Sequence, residues 1–371
     1  MRVNKPQKTI RINTFSEFKQ KKNIIKSILE DRGYWNGKGV KELYNVKDNN
    51  TSTLYAFYDL EKSPSGFDIN VFLNLAEHYR KNLCCDSIHV VIVPGSNSGF
   101  RSVPHDHRRD KWEIDSMIWR LRHLLPYCCW CLPSCKALSI LESRIEAKNI
   151  IDKSKYVYPE KYTVDDPCER CNWSHLFKKI FREKKIDLHL RAENYALDKV
   201  KNWLNQFDKK VVTISLRESV EIPRNSVIAH WKEFAQYLKS KDYIPVFLRD
   251  AEQNLNPILE ELRDEIIFPE SNHLGFRMAL YELSHLNMFV NNGTASLAWF
   301  NPNVKYIMCK ILSNIKDYTS CSASFLEHCG FIIGEDPPFV QKGQKWIWNT
   351  HDNTDILISS FENFENEINN E

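Results

Sequence analysis

What the chain lacks narrows its class first. No run of eighteen or more apolar residues occurs in its 371 residues, so no membrane-spanning helix is expected. The amino terminus is basic but has no apolar h-region. A secretory signal is therefore not expected, and the cytosol is the expected compartment. A surplus of one charge is missing too. The net charge of +3 gives no general electrostatic case for a nucleic-acid partner. Internal repeats and long low-complexity tracts are absent. No Gly-Lys-Ser/Thr closes a glycine-rich loop, which excludes a Walker site. Cys168 and Cys171 form a single Cys-x-x-C, while a structural zinc needs four ligands, commonly from two such pairs. Cys128, Cys129, Cys131 and Cys135 lie in and beside an apolar stretch between Pro126 and Pro133. Free thiols in such a setting pack as small hydrophobes. The 11 cysteines are odd in number, which argues against a disulfide framework. His105 and His107 form a His-Asp-His without an identifiable third ligand. No metal is expected.

The residues present describe a globular chain. Hydrophobic residues make up 42% of the chain, enough for a sizeable core. At about 150 residues per domain the length suggests two domains. Residues 1–26 are rich in Lys and Arg and include Lys19-Gln20-Lys21-Lys22. The plain reading is a solvated arm; the functional one is attraction to an anionic membrane surface. Apolar runs at 53–60, 88–93 and 137–141 read as strands, separated by helical stripes at 69–83 and 111–125, with Pro126 expected to stop the second. The alternation restarts after an amphipathic helix at 194–207, with strands at 211–216, 243–248, 288–290 and 306–309 and helices at 229–240 and 276–285. Strand–helix alternation implies parallel sheets covered by helices. The expected fold is thus two Rossmann-like, doubly wound domains, 1–193 and 194–371, facing a central cleft.

In such sheets ligands lie beyond the carboxyl ends of the strands. Asn291-Asn292-Gly293-Thr294 follows one strand end and opens a helix of small residues. Gly293 permits close approach, and the N–H groups of the helix start favour a phosphate. The competing reading is a plain turn with Thr294 as N-cap. Arg217 ends the first strand of the second half and can grip a diphosphate through two parallel bonds; a surface pair with Glu218 is the alternative. Arg249, Asp250 and Glu252 follow the next strand as candidates for phosphate or ribose. Arg277 precedes the Asn-Asn-Gly-Thr turn. A solvated loop or helix face is the plain reading for all four. Gly95, Ser96 and Arg101 belong to a Gly/Ser-rich loop after a first-half strand, either a cleft wall for the acceptor or a mobile loop. Asp59, Asp68 and Glu142 are first-half acid–base candidates, Asp59 and Asp68 foremost. Asp68 also suits a helix N-cap.

The stretches VVTISLRES (211–219), IPVFLRDAEQ (244–253) and LNMFVNNGTASLAWF (286–300) resemble two-domain GT-B glycosyltransferases. The carboxyl half, from about 211 to 361, is similar to the donor-binding half of bacterial ADP-heptose:lipopolysaccharide heptosyltransferases and related surface-polysaccharide enzymes. The resemblance implies donor phosphate at Asn291–Thr294, Arg217 near the diphosphate, and a last helix at about 355–364 packed back toward the first domain. It also implies transfer without a bound metal or other cofactor, the nucleotide sugar being a substrate. The family's usual Asp-Ser/Thr-Gly-Pro turn with a following His is here Asn-Asn-Gly-Thr followed by Ala295-Ser296-Leu297. The expected activity is sugar transfer from a nucleotide-sugar donor to a glycan or glycolipid acceptor, at the inner face of the membrane where the basic arm engages it. A sugar-nucleotide epimerase and a non-catalytic nucleotide-binding scaffold are the alternatives.

Overall fold

A computed structural model describes residues 52–101, 114–167, 173–182, 187–219, 222–253, 256–313 and 321–369. The basic arm, His105, His107, Cys168 and Cys171 lie outside these residues.

The first unit runs β1 (Thr53–Asp59), α1 (Asp68–Asn82), β2 (Ser87–Val93), α2 (Ile114–His123), α3 (Leu125–Trp130), β3 (Cys135–Ile140), α4 (Arg144–Ile151) and β4 (Tyr156–Tyr158). Its strands are all parallel, in the order β3-β2-β1-β4. Side chains alternate across a strand, and both faces here are covered. Leu54, Ala56 and Tyr58 join the core that holds α1 residues Ile69, Phe72 and Leu73. Phe57, Val91 and Val93 pack with Ala147 of α4 on the other face. The helix expected to stop at Pro126 ends ahead of it, at His123, two residues earlier than read. The chain turns after α2, and the proline enters the first turn of α3, where its missing N–H breaks no bond.

Helix α5 (Trp173–Arg182) links the units. The second unit follows as α6 (Asn194–Leu204), β5 (Val211–Ser215), α7 (Ile228–Ser240), β6 (Ile244–Leu248), α8 (Leu274–Leu283), β7 (Leu286–Val290), α9 (Ala295–Trp299), β8 (Tyr306–Cys309), α10 (Ala323–Cys329), β9 (Gln344–Trp346) and α11 (Thr354–Asn369). Its five parallel strands are ordered β6-β5-β7-β8-β9. The architecture is therefore two doubly wound α/β units with helix-covered parallel sheets. One expectation is corrected. Helix α11 stays on its own unit: Leu357, Phe361 and Phe364 share a core cluster with Trp231, Phe234 and Leu238 of α7. Their i, i+4, i+7 spacing makes one stripe, and α7 uses it up. Glu362 accepts from Tyr237 Oη and Glu365 from Tyr243 Oη, each at 2.7 Å.

The units meet over a continuous apolar interior. Leu125 and Cys128 of α3 belong to the same core cluster as Leu274 and Met278 of α8. Phe181 of α5 packs on Phe331 with ring centroids 4.8 Å apart.

Candidate functional site

Strand order identifies where each sheet opens. In the second sheet the order reverses between β5 and β7, so the loops that follow these strands part and leave a crevice. After β5, the Arg217 N–H donates to Ser226 Oγ at 2.9 Å, and the Ser226 N–H returns a bond to the Arg217 carbonyl at 3.1 Å. Asn225 closes the loop: its Oδ1 accepts from the Ser219 N–H at 2.9 Å, and its Nδ2 donates to the Ser219 carbonyl at 2.7 Å. Arg224 then reaches across the crevice, Nη2 lying 3.4 Å from the Asn291 carbonyl.

The turn after β7 is ordered by its own side chains. Asn292 Oδ1 accepts from the Ala295 N–H at 2.8 Å and from Thr294 Oγ1 at 3.0 Å. The cap of α9 is thus supplied by Asn292; Thr294 makes no capping bond. An Asn two residues ahead of the N-cap position has the reach, whereas Thr294 sits in helical φ/ψ with its hydroxyl turned to Asn292. Gly293 is the point of closest approach, but the group that approaches is protein. A Cβ placed there would collide with the ring of Phe67, the residue just before α1 in the first unit. Asn70 Nδ2 of α1 donates to Ser296 Oγ at 2.8 Å beside it.

A cavity of about 190 Å³ lies at this end of the sheet, lined by Arg224, Lys310, Leu312, Ser313, Cys321 and His351 among others. Lys310 follows β8 directly and adopts φ of 52°. Its Nζ donates to the Asn225 carbonyl at 2.6 Å and to Asp352 Oδ1 at 2.9 Å. Asp352 is buried and also accepts from Trp231 Nε1 at 2.9 Å, so the lysine is held by a fixed counter-charge.

The neighbouring strand end differs from a solvated loop. Arg249 and Arg277 are both buried. Arg249 pairs with Glu218 and donates from Nη1 to the carbonyls of Asn256 and Pro257 at 3.2 and 2.9 Å. Arg277 donates to the carbonyls of Ser271 and Arg249 and points Nη1 at Tyr281 Oη, 3.3 Å away. The solvated reading of these two arginines is therefore corrected. Buried guanidinium groups need every donor satisfied, and carbonyls of the loop supply the acceptors. Asp250 adjoins this network through the Glu218 N–H at 3.5 Å. Glu252 faces the first unit instead. It forms an ion pair with Arg120 of α2 and accepts from Ser116 Oγ at 2.9 Å. Burial draws the Arg120 pKa down; the carboxylates of Glu252, Asp250 and Asp68 act in the opposite sense.

In the first sheet the order reverses at β1 and β4. Asp59 ends β1 there, buried, with Arg144 Nη1 and Nη2 at 2.8 and 2.9 Å and Tyr162 Oη at 2.6 Å. Arg144 also ties down the carbonyls of Pro94 and Val164. Asp68 is the first residue of α1 rather than its N-cap, which is Phe67. Gly95 and Ser96 sit in a small hairpin, not a loose loop. The N–H of Gly95 donates to the Gly99 carbonyl at 2.9 Å, and Ser98 and Gly99 take the left-handed conformations of its tight turn. A Cβ at Gly95 would collide with the Phe100 carbonyl. Ser96 Oγ donates to Glu61 at 3.0 Å. Arg101 is half-buried at the end of the described segment, and Glu142 is exposed just after β3.

A larger cavity of about 390 Å³ lies on the face of the first sheet beside α4, lined by Tyr55, His89, Ser139, Glu146, Asn149 and Lys153 among others. His89 Nε2 lies 2.8 Å from Ser139 Oγ, and burial pushes the imidazole pKa down to about 4. Tyr55 and His89 lie mid-strand, away from either switch point. Cys128, Cys129 and Cys131 are fully buried free thiols, pushed above the usual thiol range by burial. Among the described residues no group of three or more His, Cys, Asp or Glu is placed to hold a metal ion, and no helix is long and apolar enough to cross a membrane.

The structure therefore brings Arg217 and Asn291–Thr294 to one crevice and adds Arg224 and Lys310. Lys310 was findable as the residue after a strand. Arg224, Arg120 and Phe67 carry no local signal, because only tertiary packing places them.

No protein-family model matches the chain, and no curated protein matches it. Solved structures do. A glycosyl transferase family 9 protein from Veillonella parvula is 10% identical, over 69% of this chain and 80% of that one, with a TM-score of 0.43. The ADP-heptose lipopolysaccharide heptosyltransferase II of E. coli is 10% identical, over 85% and 99%, with a TM-score of 0.38. A wall teichoic acid polymerase is 13% identical, over 96% and 93%, with a TM-score of 0.33.

Proposed function

We propose that the chain is a glycosyltransferase of GT-B type that binds a nucleotide-sugar donor at the β5/β7 crevice and transfers the sugar to a glycan or glycolipid acceptor held by the first domain. The observation that carries this reading is the meeting of Arg217, Arg224 and the Asn291–Thr294 turn at the point where the second strand order reverses. The Arg224 guanidinium beside a turn of backbone N–H donors, with Arg217 opening the facing loop, suits a diphosphate, whose charge grows as the sugar leaves. Lys310, already balanced by Asp352, lies at the margin of the same site. Asp250 and Glu252 are the proposed ribose acceptors. Arg249 supports them through its buried network. Gly95, Ser96 and Arg101 form the proposed acceptor-side wall.

Asp68 is the proposed base for the acceptor hydroxyl. It stands at the domain junction near Arg120, whereas Asp59 is fully engaged by Arg144 and Tyr162. The proposed domain division falls between residues 193 and 194, and the basic arm is the proposed membrane contact.

The test is a thermal-shift screen against ADP, GDP, UDP and CMP and their sugar conjugates, with and without Mg²⁺. A ligand at a hundred times its dissociation constant adds about 2.7 kcal/mol of stability. A shift with one nucleotide family, lost in Arg217→Ala and Arg224→Ala, is expected. No shift with any of them would overturn the donor site.

A further inference from the structure

The crevice proposed for the donor is closed by the first domain, and the contacts that close it form one strip along the junction. Phe67 lies over Gly293, in the space a side chain would otherwise fill. One turn into α1, Asn70 donates to Ser296. Beyond them, Arg120 is paired with Glu252, with Ser116 as a second donor. Gly66 connects the two ends: a Cβ there would lie 3.2 Å from Asp68 Oδ2 and 3.9 Å from Arg120 Nη1. Each contact takes a group that donor binding needs. Gly293 is the approach to the turn, and Glu252 is a proposed ribose acceptor.

The same strip is poorly finished as a permanent interface. Asn70 Oδ1 is buried without a hydrogen-bond partner. Asn74, on the same face of α1, is fully buried, and neither of its amide atoms has one. Buried polar groups left in this way weaken the closed arrangement.

We propose that Phe67 is a plug and Arg120–Glu252 a latch, so that domain closure in the free protein competes with a nucleoside diphosphate for the turn at Gly293. This inference rests on the donor reading above. A ligand that needs a minor, opened state binds more weakly by the fraction of time that state is populated. Release of the Phe67 contact therefore strengthens binding.

The experiment compares wild type and Phe67→Ala by calorimetric titration with ADP, GDP and UDP, and all three of wild type, Phe67→Ala and Glu252→Gln by small-angle X-ray scattering without ligand. Folding of each variant is checked by its thermal transition. Phe67→Ala is expected to bind the preferred diphosphate about tenfold tighter, as an opened state becomes populated. Both variants are expected to show a larger radius of gyration than wild type, and saturating nucleotide is expected to enlarge wild type. Glu252→Gln separates the latch from the plug, since it leaves the Phe67 ring in place. If wild type binds a diphosphate and Phe67→Ala binds it equally or more weakly, the plug is overturned. If scattering is the same for all three chains, the latch is overturned. If none of the chains binds any diphosphate, the donor reading itself fails, and the competition falls with it.

Discussion

At Asp59 a single carboxylate takes two guanidinium nitrogens and a phenol. Removal of one member of such a buried set costs more than the set contributes, because it leaves a charge without its partner. Arg144→Ala is accordingly expected to destabilise the protein by about 3 kcal/mol, read as a lower urea midpoint with an unchanged slope. Tyr162→Phe should cost about 1 kcal/mol, one hydrogen bond. An equal and small effect of both would mean that Asp59 is not held by this network. The carboxylate had been readable as an acid–base candidate from its place at a strand end. Its partners were not readable, because Arg144 and Tyr162 lie 85 and 103 residues away in the chain. Arg249 and Arg277 teach the same lesson. In sequence each stood between a ligand-binding reading and a solvated one, and only the carbonyls folded around them explain their burial.

Elements with a complete repeat of apolar residues were legible; short ones were not. Strand β8 (Tyr306–Cys309) coincides with its sequence reading, and β5, β6 and β7 differ by a residue or two at an end. Strands β4 and β9 have three residues each, too few to show alternation, and pairing alone defines them. Helix α11 was legible as a helix but misplaced, since its stripe does not say which unit covers it. Its observed place makes a prediction. Phe361 meets Tyr243 edge to face at 5.1 Å and also packs on Phe234. Phe361→Ala should cost about 3–5 kcal/mol and lower the thermal transition of the second unit. Loss confined to the first unit, read by hydrogen exchange on β1 and β2, would contradict this packing.

At the scale of the molecule, burial lowers the pKa of four of the described histidines. His89 and His189 are each pushed down to about 4, and His123 and His273 are lowered as well, all mainly by burial. In the unfolded chain these groups titrate near 6.5. Between the two values the unfolded state binds more protons, so stability falls as pH drops. The full contribution is present above about 6.5 and is lost toward pH 4. Urea midpoints measured at pH 7.5, 6 and 5 should decline, and His89→Gln should flatten that decline. A midpoint that stays level through this range would show that these imidazoles are not held neutral. The cleft was legible at the same scale only in part. Two doubly wound units predict that ligands lie beyond the strand ends, but the contact of Phe67 with Gly293 depends on how the units dock, which no periodicity encodes.

Every strand in both sheets pairs in parallel, and this has a consequence for how the chain is made. Parallel neighbours cannot be joined by a tight hairpin. Leu54 must wait for Tyr156 before the outer edge of β1 is covered. During synthesis that edge emerges from the ribosome about a hundred residues before its partner, at roughly 5–20 residues per second. For several seconds the nascent chain carries a strand with one edge uncovered, and that interval is the window in which a holdase chaperone could engage it.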